Sequence, residues 1–165
     1  MSHYKPLDIV NYEVVGERWV RRAMRLPKDK QPINRDDYGL MVKLVKAGDD
    51  HAKCTRGIIV YVEVKFQVGW LIEFETYRAG IECLSTSSSM HNELMSLRGD
   101  ELAEQKQKDL SDKVYTRIMT ISYQALRNIY KARRTHRHPD WWIFCRWIET
   151  LPLFKMVIYP EWSDG

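Results

Sequence analysis

The chain has 165 residues, of which 44% are hydrophobic and 29% charged, and carries a net charge of +4. Those values fit a single globular domain over residues 1–165 that can bury a real core. No apolar run approaches a membrane span and no apolar signal region opens the sequence, so no membrane partner and a cytoplasmic location are expected. The modest positive charge favours anionic small molecules weakly and makes nucleic acid an unlikely partner. Cys54, Cys83 and Cys145 are scattered and lack CxxC spacing. That pattern argues against a disulfide framework or a zinc site.

The first predicted element is a strand over 8–15, followed by a helix over 17–26 that Pro27 should end. Trp19, Val20, Ala23 and Met24 form the apolar stripe of that helix, and Arg18, Arg21, Arg22 and Arg25 form a basic face that could grip phosphates but reads more simply as a solvated one. A polar connection over 28–35 precedes a second helix, capped by Asp36 or Asp37, that runs to about residue 47 and stops at Gly48. Strict alternation predicts strands over 58–66 and 68–77, with Gly69 as a turn, bulge or kink between them.

Residues 92–115 are polar and read as two helical pieces around Gly99. A longer helix is expected over 116–134, with Ile118, Ile121, Leu126 and Ile129 inward. Pro139 and Asp140 start a final helix over 141–150 whose Trp141, Trp142, Phe144 and Trp147 read as core or subunit interface. A strand-like tail over 154–159 closes the chain. The fold class expected is α+β, a mostly antiparallel sheet with helices packed on it.

The residues that point to function lie where the second strand stops. Arg78 is followed by a small, hydroxyl-rich loop that includes Ser85, Ser87, Ser88, Ser89 and His91. A fixed cation, backbone N–H groups and hydroxyls before a helix start make an anion site. The same run also reads as a plain capped turn, since it lacks P-loop glycines. His136 and His138 sit among arginines, so no metal site is expected. No catalytic triad, GxGxxG or Walker motif is present, and no catalytic residue is assigned.

The order of elements and several local patterns resemble the flavin-dependent thymidylate synthases. That family carries a Gln-Leu-x step into Arg-His-Arg, then two variable residues and a serine. Glu73-Phe74-Glu75-Thr76-Tyr77-Arg78 stands in its place, with Arg78 as the surviving arginine. Residues 40–48 resemble the helix before the family's Gly-His-x-Ser segment, with His51 displaced. Leu126 and Arg133 match the family's downstream Asn-x-Arg-x-Leu and Leu-Arg spacing, while Ser122 and Gln124 replace its polar pair. The likeness spans roughly residues 15–150.

The resemblance implies the synthase fold, a homotetramer or dimer with sites between subunits, and a nucleotide site that includes Arg78, the serines, His91 and Arg133. It also implies FAD if the protein is an enzyme. The departures at Thr76 and Tyr77 instead imply a non-catalytic relative, of the sort a phage could carry, that holds a nucleotide or cyclic nucleotide without flavin. A ligand-free oligomeric scaffold or inhibitor is the remaining expectation.

Overall fold

The computed structural model describes residues 4–28, 36–90 and 94–161. Four strands form one antiparallel sheet in the order β1-β2-β4-β3. They are β1 (Asp8–Val15), β2 (Ile59–Phe66), β3 (Ile81–Thr86) and β4 (Tyr115–Ser122). The helices are α1 (Glu17–Arg25), α2 (Asp36–Lys46), α3 (Cys54–Gly57), α4 (Val68–Phe74), α5 (Gly99–Asp112), α6 (Tyr123–Arg133) and α7 (Pro139–Thr150). The α+β class expected from the sequence is the class observed.

The central strands carry the core. Val60, Val62, Val64 and Phe66 of β2 are buried beside Met119 and Ile121 of β4. Their partners across the ladder are fixed by the alternation, because a one-residue slip would turn the apolar set to solvent. On this face α6 and α7 supply Leu126, Ile129, Trp141, Phe144 and Ile148, all fully buried. The opposite face stays open, with Tyr61 and Ile118 exposed.

Several expected elements differ. Residues 68–74 form α4 rather than a strand. Trp70 and Phe74, four residues apart, point together into the core and stack at 4.7 Å, while Ile72 is 67% exposed. The alternating pattern fits either period over so short a run, and packing against Trp141 and Phe144 selects the helix.

The helix expected over 116–134 is divided. Tyr115–Ser122 is β4, and α6 starts only at Tyr123. Ser122 marks the boundary, its hydroxyl accepting the Ala125 N–H at 3.2 Å. Residues 99–112 form one helix instead of two pieces, and residues 92 and 93 of that expectation lie outside the described residues. The tail Phe154–Ile158 is a turn of π-helix, not a strand.

The aromatic helix α7 contributes Trp141, Phe144 and Trp147 to the core, while Trp142 is 58% exposed. In α1 the expected faces hold only in part: Val20 is buried and Met24 packs on the core, while Arg18 is exposed. Trp19 is exposed, whereas Arg21 and Arg25 turn inward to the fully buried Asp37 of α2, Arg21 at 3.4 Å.

Candidate functional site

Arg78 lies just after α4, where Gly80 turns the chain back into the sheet. Gly80 has φ +79, and a Cβ there would stand 2.3 Å from the Ser122 hydroxyl. Glycine is therefore required at this turn. The turn is pinned by the Ser122 N–H, which donates to the Gly80 carbonyl at 2.8 Å. Arg78 is held at the sheet end in consequence, exposed, and its guanidinium has no partner among the described residues.

A small pocket of about 120 Å³ opens there, lined by Phe74, Glu75, Tyr77, Arg78, Ile81, Cys83, Arg117 and Met119. Arg117 is the cation that sequence reasoning missed. It was placed in a helix, where it would have pointed elsewhere; β4 brings it beside Arg78. Its guanidinium pairs with Glu75, and its Nε donates to the Thr86 hydroxyl at 2.8 Å. Alternation through Met119 and Ile121 was the signal that could have found it.

The serines are not a loop before a helix. Ser85 lies on β3 and is exposed, across the ladder from Ile118. Ser87 is spent on the backbone: its hydroxyl accepts the Thr116 N–H at 2.9 Å, and its own N–H donates to the Thr116 carbonyl. The Ser88 hydroxyl accepts the Met90 N–H at 3.1 Å, a local turn. Ser89 is buried, its carbonyl accepting the Leu94 N–H. His91 lies outside the described residues.

Arg133 is not the second cation beside Arg78. It sits 4.7 Å over the Trp141 ring, donates to the Tyr77 hydroxyl at 2.8 Å and pairs with Glu73 at 3.0 Å. Glu73 also accepts the Trp141 indole N–H at 2.7 Å. That hydrogen bond first, then Arg133 and His136, hold the Glu73 carboxyl below the usual carboxylate range against the opposing effect of burial. The cluster ties α4, α6 and α7 together. His136 and His138 join it or cap α7, and among the described residues no group of side chains could hold a metal.

No family model matches the sequence, and no curated protein does. Solved structures do match in shape. A flavin-dependent thymidylate synthase from Helicobacter pylori, complexed with FAD and dUMP, superposes with a TM-score of 0.65 at 13% identity, over 98% of this chain and 100% of that one. A second structure of the Helicobacter pylori enzyme, with the same ligands, gives 0.63 at 11% identity, over 95% and 99%. The UMP/dUMP methylase PolB from Streptomyces cacaoi, bound with 5-Br dUMP, gives 0.62 at 11% identity, over 96% and 94%. The fold is that of the flavin-dependent thymidylate synthases.

The Helicobacter pylori structures hold FAD, so the residues here need to be weighed against a flavin. Within one chain the Arg78 pocket does not fit one. Arg117 and Arg133 are neutralised by Glu75 and Glu73, and Thr76 turns its hydroxyl to the Glu73 carbonyl. The pocket is far smaller than a dinucleotide site.

Proposed function

We propose that this protein binds a nucleotide, or a cyclic nucleotide, at the Arg78 end of the sheet and does not turn it over. The observation that carries the reading is the unpaired Arg78 guanidinium beside Arg117, at a pocket of about 120 Å³. That volume suits one phosphate group. Arg78 would take its oxygens through a charge-assisted fork, while Arg117, braced by Glu75 and Thr86, contributes positive potential. The exposed hydroxyl of Ser85 lies on β3, the strand that follows Arg78. The shape match with structures that hold dUMP supports the ligand class.

The nucleoside has no walls in one copy of the chain, since the pocket ends at the phosphate. A homo-oligomer, a tetramer or a dimer, would supply them. No flavin is part of this reading, and no chemical step is assigned.

Calorimetry with dUMP and with cyclic nucleotides tests the proposal. Arg78→Ala should weaken binding by roughly 1.5–3 kcal/mol, as for a lost hydrogen bond to a charged group. Arg78→Lys should recover part of it, because an ammonium cannot reproduce the fork. Urea midpoints measured beside the affinities separate binding from folding. An unchanged affinity in Arg78→Ala would remove the site.

A further inference from the structure

A larger cavity than the Arg78 pocket lies elsewhere. A cleft of about 840 Å³ opens between α1, α2 and α3 and shares no residue with the Arg78 pocket. Its walls are aliphatic, with Ala23 and Met24 from α1 and Leu40 and Leu44 from α2. At its edge stands Trp19, 78% exposed. An indole left bare beside an apolar cavity is a stacking platform without a partner.

The charges around the cleft have one sign. Among the described residues, Arg25, Lys28, His51 and Lys53 line it and no carboxylate does. Asp37 engages Arg25 from within the helix pair. The ammonium groups of Lys28 and Lys53 have no ion-pair partner among the described residues. Water-filled cavities edged by unopposed cations attract anions.

The walls are fixed in advance. Arg21 and Arg25 clamp onto the buried Asp37, and the Tyr38 hydroxyl donates to Glu17 at 2.5 Å, so α1 and α2 are crosslinked twice. On the floor α1 meets α3 so closely that a Cβ on Gly57 would stand 2.6 Å from Val20. A cavity held open this way needs little reorganisation to take a ligand.

We propose that this cleft is a second binding site, for a flat aromatic anion. The ring system would stack on Trp19 and enter between α1 and α2, and the anionic group would lie toward Lys28 and Lys53. The site is independent of the nucleotide reading at Arg78.

Anilinonaphthalene sulfonate is a suitable probe, because it joins a flat ring system to one anionic group and fluoresces when sheltered from water. We expect saturable binding with one dye per chain. The uncharged N-phenylnaphthylamine should bind at least roughly tenfold more weakly, as should the dye to Trp19→Ala and to the Lys28→Glu/Lys53→Glu double variant, a factor set by the loss of about one favourable contact. Ala23→Trp fills the cleft from an exposed position and should abolish binding. Near-UV circular dichroism identical to the parent shows that each variant keeps its packing, so dye uptake by a loosened core is excluded.

Equal affinity for the uncharged analogue, or dye binding unaffected by a folded Ala23→Trp, overturns the proposal. Dye and dUMP should bind together. Displacement of the dye by dUMP would merge the two sites and overturn the claim of a second one. Arg78→Ala tests the nucleotide site separately, since it should leave dye binding unchanged.

Discussion

Glu73 shows how one residue in a motif-like position changes what its neighbours do. Its carboxylate gathers the Trp141 indole N–H, Arg133 and, at 3.9 Å, His136. Arg133 is thereby held as a strut between α4, α6 and α7. Because the Glu73 carboxyl is held below its ordinary range, its contribution to stability is present above that range and lost as pH falls through the lowered value. Glu73→Gln should therefore lower the urea midpoint at neutral pH and reduce its fall in acid, which unfolding curves at both conditions will show. The cysteines divide in the same residue-by-residue way. Cys83 is exposed on β3, while Cys54 and Cys145 are buried, and burial pushes the Cys145 thiol up to about 12 and raises that of Cys54. A disulfide reagent at neutral pH should label Cys83 alone in the folded protein and all the cysteines in urea. Labelling of Cys145 at the same rate as Cys83 would contradict the packing of α7. Asp140 is buried too, accepting the Tyr4 hydroxyl and the Leu7 N–H, the latter at 2.9 Å, and so ties the N-terminal segment to α7. Asp140→Ala should cost about 1–3 kcal/mol by stranding that N–H, measured as a shift in the urea midpoint.

At the scale of elements, position in the sheet decides what the candidate nucleotide site can be. β3 is an edge strand joined to β4 with an irregularity between Cys83 and Ser85. Such a bulge breaks the ladder locally and re-aims side chains at an edge. The turn before it depends on Gly80, whose positive φ and contact with Ser122 leave no room for a side chain. Gly80→Ala should destabilise the fold by about 1–3 kcal/mol of backbone strain and weaken dUMP binding through the displaced Arg78. A variant with parental stability would show that the turn is looser than its geometry. Placing residues 68–74 in a helix also matters to the site: it brings Glu73 and Arg78 to opposite sides of the turn, one inside the α6–α7 cluster and one at the sheet end. A strand through 77 would have put the residues of this segment on alternating faces of the sheet.

For the whole molecule, two expectations remain to be measured. Light scattering at micromolar concentration should give a dimer or tetramer mass, since the nucleotide pocket lacks walls in one copy; a monomer would sink a site shared between subunits. Purified protein should show no flavin band near roughly 450 nm, the absorption expected of bound flavin cofactors, and stoichiometric yellow colour would show that the fold holds a flavin with other residues. The sequence by itself determined the class of the fold, the β1 and β2 strands, α2 and α7, because alternation over eight residues and helix-start signals such as Pro139 are local. It also marked Arg78 through a motif-like neighbourhood. Only the tertiary structure decided the rest. Short apolar runs at 68–74 and 115–122 satisfy more than one period, and long-range packing on Trp141 and pairing with β2 and β3 chose between them. The same packing brought Arg117 rather than Arg133 beside Arg78, turned Arg21 and Arg25 of α1 onto Asp37, and left Trp19 at the edge of a cleft. Those outcomes depend on which helices and strands meet, a relation between distant residues that no local pattern encodes.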